Sequence, residues 1–279
     1  MGRPEIPALQ GGEDVKAQFT FHYQQQGKGP VVLFLHGFMG SGQDFDTAIA
    51  LLRDCYTCIT LDLPDHGQTQ MPCPKAYTMA TVASAIVDWL AQMDMPRCGL
   101  AGYSMGGRLA LYLALMAPER FSHLVLESAS PGLSTAPERQ ARVSLDEQRS
   151  QQIIHSFEAF LERWYHAPMF RNLTQQPEFE AILQRRRQNH PNALARSLQS
   201  LGTGQQPSLW PRLGELSLPT LLLSGEQDAK FCAISRAMAR RIPNVQQRIV
   251  PRCGHSVHLE APHDHAEGLK YICTYVNGL

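Results

Sequence analysis

The sequence predicts an α/β fold, in which a mostly parallel, doubly wound sheet carries an inserted helical cap. Short apolar runs rich in Val, Ile and Leu recur along the chain, and they are continuous, as in strands buried on both faces. Helical patterns separate these runs, which is the order typical of a doubly wound sheet. One long interval, 129–218, contains helical patterns but no strand-like run.

The parallel strands are predicted from six apolar runs: 31–35, 56–61, 98–101, 124–126, 220–223 and 245–250. Residues 18–25 alternate between apolar and polar side chains, which predicts an antiparallel edge strand. Residues 78–92 and 105–116 are predicted helices. The second is apolar nearly all round, so we expect it to be the central buried helix.

The interval without strands is predicted to form a cap. A crossover between parallel strands needs only about a dozen residues, and this interval is far longer. Its apolar residues recur at helical spacing, which predicts helices over 136–150, 155–165, 177–187 and 192–201. We therefore assign residues 1–129 and 219–279 to a core domain and residues 130–218 to the cap.

Composition narrows the possible functions. The 279 residues include 25 Lys plus Arg and 25 Asp plus Glu, so no net charge attracts nucleic acid. Residues 1–16 lack the apolar segment of a signal peptide, and no apolar run is long enough to span a bilayer, so we expect a cytoplasmic protein. Seven cysteines, an odd number, indicate free thiols, and the pair Cys55 and Cys58 is predicted to be ordinary core cysteine.

Cofactor signatures are not found in the sequence. The chain contains no metal-ligand cluster, no P-loop and no dinucleotide fingerprint at the required spacing. We therefore predict no metal and no cofactor.

A nucleophile elbow is predicted at Ser104. The segment Gly102-Tyr103-Ser104-Met105-Gly106 matches G-x-S-x-G, follows a predicted strand and opens a predicted helix. Small residues are required there because the turn is tight. Ser104 then lies at a helix N-terminus, where the helix dipole favours developing negative charge. This context predicts the α/β-hydrolase fold.

A serine hydroxyl needs a histidine that takes its proton, and in this fold the order along the chain is Ser, acid, His. Asp228 follows the strand at 220–223, and His255 follows the strand at 245–250. We predict that these residues complete a triad with Ser104. Glu226 competes with Asp228 for the role of the acid, and His258 is predicted to be structural.

The oxyanion hole of such a site needs two backbone N–H groups that face the reacting oxygen. One is predicted from Met105, the residue after the nucleophile. The other is predicted from Phe38, in the loop after the first parallel strand. His36 is expected to brace this loop.

Arg108 lies four residues after Ser104 and therefore on the same helix face. A charge among apolar helix residues is costly unless it is paired or faces a polar pocket. An internal salt bridge and a substrate carboxylate are both consistent with the sequence. Two further runs lie in the cap: Arg139, Arg142 and Arg149, then Arg185, Arg186 and Arg187. We expect most of these side chains to form a solvated face, with room for one from each run to reach the cleft.

The chain resembles the 2-succinyl-6-hydroxy-2,4-cyclohexadiene-1-carboxylate synthases of menaquinone and phylloquinone biosynthesis over roughly residues 30–265. The resemblance rests on these segments: His36-Gly-Phe-Met-Gly-Ser41, Gly102-Tyr-Ser-Met-Gly-Gly-Arg108, Ser130-Pro-Gly-Leu133, Trp164-Tyr165 and Gly225-Glu-Gln-Asp-Ala-Lys-Phe231. It departs where the family usually has Gly, at Asp65, and where it usually has a charged residue, at Gln227.

The resemblance implies a lyase that eliminates pyruvate from a polycarboxylate, with Ser104 abstracting a carbon-bound proton. It also implies a set of substrate-binding residues: Tyr103, Arg108, Arg142, Trp164, Arg187, Lys230 and Phe231. Two alternatives stay open on the same scaffold. One is an esterase, thioesterase or C–C bond hydrolase, because fold alone does not fix function. The other is a non-catalytic binding protein.

Overall fold

The structure is a computed structural model that describes residues 19–71 and 77–277. The expectation about residues 1–16, and the first residue of the predicted edge strand, fall outside these ranges. Within them, no helix combines the length and the apolar character that a bilayer crossing requires.

A seven-stranded sheet forms the centre of the fold, with the order β1-β3-β2-β4-β5-β6-β7. Only the edge strand β1 pairs antiparallel, and every other neighbouring pair is parallel. The strands are β1 (Tyr23–Gln26), β2 (Val31–Leu35), β3 (Thr57–Leu61), β4 (Cys98–Tyr103), β5 (Phe121–Glu127), β6 (Thr220–Gly225) and β7 (Val245–Val250). The predicted α/β fold and its antiparallel edge are therefore confirmed.

Strand β1 begins at Tyr23, five residues later than predicted, and β5 begins at Phe121, three residues earlier than predicted. Ser122 and His123 interrupt the apolar pattern at this point. The strand continues through them because Phe121 and His123 are both buried and β5 pairs with β4 and β6 on either side.

Ten α-helices accompany the sheet in the described residues. They are α1 (Asp46–Ala50), α2 (Met79–Gln92), α3 (Met105–Met116), α4 (Ala136–His155), α5 (Phe157–Tyr165), α6 (Phe179–Arg187), α7 (Pro191–Leu201), α8 (Ala229–Ala239), α9 (Val257–Glu260) and α10 (Pro262–Asn277). Helix α3 is buried over nearly its whole length, as expected for the central helix. The side chain of Thr78 caps α2 by accepting from the N–H of Thr81.

Helices α4 to α7 lie in the segment predicted as the cap, whose boundaries at 129/130 and 218/219 stay a prediction. Thr135 and Glu138 form a capping box at the start of α4, which continues to His155, five residues beyond the predicted end. These helices share an apolar cluster of their own, formed by Ile153, Phe160, Ile182, Leu194 and Leu198 among others.

Polar contacts join this helical segment to the loops that follow β2 and β3. Arg186 of α6 pairs with Asp44, and Asn189 donates to the carbonyl of Met39 at 2.9 Å. Arg196 of α7 pairs with Asp65, the departure noted in the sequence. Asp65 has a φ of 66°, a backbone conformation that favours glycine, so the family's usual Gly suits the turn and Asp65 adds an ion pair.

The cysteines are free thiols in the part of the chain that the structure describes. Cys58 lies in β3 and is buried, as predicted, but Cys55 is exposed. The prediction was wrong for Cys55 because β3 begins at Thr57, which leaves Cys55 in the preceding turn.

Candidate active site

Ser104 occupies the sharp turn between β4 and α3. Its φ of 50° and ψ of −106° are strained for a non-glycine residue, and its N–H donates to the carbonyl of Glu127 at 2.9 Å. Gly106 packs directly on the neighbouring strand, where an added Cβ would lie 2.2 Å from the carbonyl oxygen of Leu35. The second glycine of the G-x-S-x-G motif, Gly106, is therefore required by backbone packing.

The three residues predicted as a triad converge. His255 Nδ1 lies 2.6 Å from Asp228 Oδ2, and His255 Nε2 lies 3.3 Å from Ser104 Oγ. Asp228 and His255 are buried, so solvent does not compete strongly for these hydrogen bonds. The geometry suits transfer of the serine proton to His255 while Asp228 orients the ring.

Asp228, rather than Glu226, faces the histidine. Asp228 follows β6 and also caps α8, since its Oδ1 accepts from the N–H of Phe231 at 3.2 Å. Glu226 instead accepts from the N–H of Arg252 at 3.1 Å, outside the triad.

The loop predicted to supply half of the oxyanion hole is held by two buried histidines. His36 Nε2 accepts from the N–H of Leu63 at 2.9 Å, and His66 Nε2 accepts from the N–H of Met39 at 3.0 Å. Phe38 therefore lies on a braced loop that lines the same cavity as Ser104. Met105 is the first residue of α3, and N–H groups at this position have no partner within the helix.

His258 forms a buried pair behind the triad. Its Nδ1 lies 2.8 Å from Glu127 Oε1, and its backbone N–H donates to the same oxygen at 3.2 Å. Burial alone would raise the pKa of Glu127, but His258 lowers it overall. This contact joins the segment after His255 to the end of β5, the strand beside β4, as expected for a structural role.

A cavity of about 550 Å³ opens above Ser104 and His255. Apolar side chains from the helical segment form part of its wall, including Phe160, Trp164 and Phe170. Its basic lining residues are Arg108, Arg142, Arg149, Arg163, Arg186 and Lys230. The cavity is therefore suited to an anionic molecule with an apolar body.

Arg108 is buried at the base of this cavity and has only neutral partners among the described residues. Its Nη1 donates to Gln206 Oε1 at 3.0 Å, and its Nη2 donates to the carbonyl of Leu201 at 2.7 Å. Burial, followed by repulsion from Arg142, lowers the pKa of Arg108 to about 10. The alternative of an internal salt bridge is thus not what the structure contains.

Arg142 and Arg149 both line the cavity, so the first arginine run contributes two residues where one was expected. Each guanidinium contacts Asp146. Arg149 also lies over the ring of Trp164, with its Cζ 5.6 Å from the ring centroid. Arg163 was not singled out by the sequence; it is exposed and lines the same cavity.

The other predicted substrate-binding residues occupy the cavity wall in different ways. The Tyr103 hydroxyl hydrogen-bonds with Ser256 Oγ at 2.7 Å, so it also supports the loop that carries His255. The Phe231 ring lies 4.7 Å from the His255 ring between centroids. Lys230 is exposed, with Nζ 5.6 Å from the Phe231 ring.

Arg187 does not lie in the cavity, which corrects the prediction for this residue. Its side chain is directed to the outer surface, where it pairs with Glu158 and Glu180, each at 3.2 Å. The neighbouring Arg186 lines the cavity instead. One residue along a helix turns the side chain by about 100°, so the sequence pattern alone did not separate the two neighbours.

Metal binding has no support in the described ranges, where no group of three or more His, Cys, Asp or Glu side chains is arranged to hold an ion.

Comparisons with known proteins place this site in a family. A family model described as "alpha/beta hydrolase fold" matches residues 30–262. An Enterobacter sp. (strain 638) protein named 2-succinyl-6-hydroxy-2,4-cyclohexadiene-1-carboxylate synthase is 33% identical, over 84% of this chain and 87% of that protein. A Bacillus subtilis (strain 168) protein that carries the same name provisionally is 41% identical, over 83% of this chain and 85% of its own length.

A solved structure agrees with these relatives. The structure of MenH from S. aureus superimposes with a TM-score of 0.87 at 32% identity, covering 93% of this chain and 99% of that one. Because the identity and coverage extend over both the sheet and the helical segment, the chain belongs to the 2-succinyl-6-hydroxy-2,4-cyclohexadiene-1-carboxylate synthase family of the α/β-hydrolase fold.

Proposed function

We propose that the protein eliminates pyruvate from 2-succinyl-5-enolpyruvyl-6-hydroxy-3-cyclohexene-1-carboxylate and forms 2-succinyl-6-hydroxy-2,4-cyclohexadiene-1-carboxylate. Membership of the synthase family supports this reaction, which belongs to menaquinone and phylloquinone biosynthesis. The substrate is a small polycarboxylate, and the reaction is that of a carbon–oxygen lyase.

In this proposal Ser104 is the base. His255 takes the hydroxyl proton while Ser104 removes a proton from a ring carbon, and Asp228 stabilises the imidazolium that results. The electron pair of the broken C–H bond forms the new C=C bond, and the C–O bond breaks with its electron pair on the departing oxygen. The leaving group is the enolate of pyruvate, and His255 gives it the proton taken from Ser104, so pyruvate is released and Ser104 keeps the proton from the ring carbon. The N–H groups of Phe38 and Met105 stabilise the enolate-type negative charge that develops on oxygen when the C–H bond breaks. Neither water nor an acyl-enzyme takes part.

The observation that carries the proposal is the state of Arg108. A buried guanidinium whose hydrogen-bond partners in the described residues are all neutral is costly, and a carboxylate bound in the cavity would remove that cost. Arg142 and Trp164 supply a further cation and an apolar wall to the same cavity. A neutral ester would offer the Arg108 guanidinium no carboxylate to bind.

The test is release of pyruvate from the precursor by the purified protein, followed through NADH consumption by lactate dehydrogenase. We expect turnover that Ser104→Ala abolishes. Mass spectrometry during turnover should detect no covalent adduct on Ser104.

The competing reaction is hydrolysis by an esterase, thioesterase or C–C bond hydrolase, because the same triad can attack a carbonyl carbon. That reaction would give efficient cleavage of an activated ester, an acyl adduct on Ser104 and no pyruvate from the precursor. Such a result would replace the lyase assignment.

Location and partners form part of the same proposal. We place the protein in the cytoplasm and expect neither nucleic acid nor a metal as partner. A formal net charge of zero provides no overall field that would attract nucleic acid. Fractionation of cells that express the full chain would test the location.

A further inference from the structure

One face of α4 carries two arginines and an aspartate. Arg142, Asp146 and Arg149 follow at the spacing i, i+4, i+7, which aligns them along the helix. Asp146 is only 3% exposed and lies behind the cavity wall, whereas both arginines line the cavity. Asp146 Oδ1 accepts from Arg142 Nε at 2.8 Å and lies 3.5 Å from Arg149 Nη1. A single carboxylate oxygen thus contacts both guanidinium groups.

Each guanidinium keeps donors for a ligand. Arg142 uses only Nε on Asp146, and Arg149 uses only Nη1, among the contacts within the described residues. A guanidinium has five N–H donors, and two parallel donors match a carboxylate. The two Nη groups of Arg142, and Nε with Nη2 of Arg149, are therefore available to an anion.

The two arginines would repel each other without Asp146. Burial, followed by the charge of Arg142, lowers the pKa of Arg149, which indicates that the like charges are close. Asp146 forms no other salt bridge in the described residues, although its charge also acts on Arg108, where it partly offsets the lowering of the pKa. Its Oδ2 has no hydrogen bond in the same residues. Gly202 approaches this oxygen closely, since an added Cβ would lie 2.6 Å from it, so the carboxylate has little room to turn away from the arginines.

We propose that Asp146 is a positioning residue that holds Arg142 and Arg149 together as one carboxylate-binding subsite of the cavity. Asp146 does not touch the ligand and acts through the two arginines. The identity of the ligand, a carboxylate of the polycarboxylate precursor, rests on the proposed function. The paired geometry of Arg142 and Arg149 is independent of the proposed function, because it is seen in the contacts with Asp146.

Asp146→Asn tests the proposal because it removes the negative charge and keeps the size of the side chain. Glu147→Gln is the matched control: it makes the same change in net charge at the next residue of α4, which is exposed and outside the cavity. For pyruvate release, we expect Asp146→Asn to raise KM about tenfold or more and to change kcat less than threefold. Glu147→Gln should leave both constants unchanged.

Two results for KM would contradict the positioning role of Asp146. If Asp146 served only as a counter-charge, its removal would make the cavity more positive and lower KM for the anionic substrate. That result, or equal shifts in KM for both variants, would overturn the positioning role.

A binding measurement separates this proposal from the proposed reaction. Titration calorimetry with propane-1,2,3-tricarboxylate needs no turnover, so it remains informative if wild type releases no pyruvate. We expect Asp146→Asn and Arg149→Gln to bind this tricarboxylate about tenfold more weakly than wild type and Glu147→Gln. Should Asp146→Asn fail to fold, Arg149→Gln still tests the subsite. Equal affinities, or no measurable binding to wild type, would refute it.

Discussion

Arg186 and Asp44 form a buried, bidentate ion pair between the helical segment and the 3-10 helix that follows β2. Arg186 Nη1 donates to Asp44 Oδ1 at 3.0 Å, and Nη2 donates to Oδ2 at 2.8 Å. Arg186 Nε donates to the hydroxyl of Tyr165 at 3.0 Å, which occupies the remaining edge of the guanidinium. Arg186 therefore lines the cavity but has little capacity left to bind a substrate.

Loss of this pair should destabilise the protein strongly. We expect Asp44→Asn to lower the free energy of unfolding by about 3–5 kcal/mol, because it leaves the buried charge of Arg186 without its counter-charge. Arg187→Gln, at the next residue, is the control. The ion pairs of Arg187 are exposed to solvent, so their loss should destabilise the protein far less than the loss of the buried pair. Urea unfolding of both variants at pH 7 measures the difference, and equal losses would contradict it.

Buried neutral histidines should make the protein sensitive to mild acid. Burial lowers the pKa of His66 to about 3 and the pKa values of His123 and His265 to about 4. An unfolded histidine has its ordinary pKa near 6.5. Between about pH 6.5 and pH 4 the unfolded chain therefore binds more protons than the native chain, so stability falls as the pH falls.

Each of these histidines should contribute a slope that approaches about 1.4 kcal/mol per pH unit near pH 5 and is about half as large at pH 6.5. The measurement is the free energy of unfolding in urea at several pH values from 5 to 7. His123→Gln offers an internal control, because His123 lies in β5 and does not line the cavity. In this variant the slope of the unfolding free energy against pH should be smaller by the contribution of one histidine. An unchanged slope would mean that His123 binds protons equally in the native and the unfolded states.

The sequence predicted the parts of the site that the chain order fixes. Ser104, Asp228 and His255 each follow a strand, and the carboxyl ends of parallel strands meet at one edge of a sheet. Their convergence followed from local patterns alone. The same argument does not apply to residues of the helical segment, where the direction of a side chain depends on how helices pack. Arg187 and Arg186 illustrate this, since both carry the same charge and differ only in the face they occupy.

The contacts of Asp146 correspond to a charge pattern that is already visible in the sequence. Its spacing of four residues from Arg142 and three from Arg149 is readable as a charge pattern on a helix. Such patterns usually belong to solvated faces, and only the burial of α4 against the rest of the helical segment distinguishes this one. The pairing of Asp44 with Arg186, 142 residues apart, had no local signal at all.

The role of the triad acid can be tested by a change that preserves its shape. Asp228→Asn should lower kcat for pyruvate release by about 10⁴-fold, because an amide neither holds the required tautomer of His255 nor stabilises the imidazolium. Glu226→Gln, two residues away, should change kcat less than threefold, since Glu226 contacts the backbone of Arg252 rather than His255. If both variants lost activity equally, the loop after β6, rather than the Asp228 carboxylate, would be the feature required for activity.

The last prediction concerns Arg108 and the choice between lyase and hydrolase. Arg108→Ala should lower kcat/KM for the polycarboxylate precursor by about 2–5 kcal/mol in transition-state free energy, the cost of losing a buried charged contact with the substrate. A small neutral ester such as a nitrophenyl acetate, if the protein cleaves it, should be affected much less, because it has no carboxylate for the guanidinium to bind. Arg142→Ala should resemble Arg108→Ala with a smaller loss, and Arg187→Ala should be near wild type because its side chain faces outward.

The comparison of the two substrates separates binding from folding. Arg108 also donates to Gln206 and to the carbonyl of Leu201, so its removal leaves two buried acceptors without a donor. A purely structural effect would reduce turnover of the precursor and of the ester by the same factor. Thermal unfolding of each variant, measured alongside kcat/KM, identifies any loss of folded protein. Equal losses on both substrates would assign Arg108 to the support of the fold, whereas a loss confined to the precursor would assign it to the substrate carboxylate.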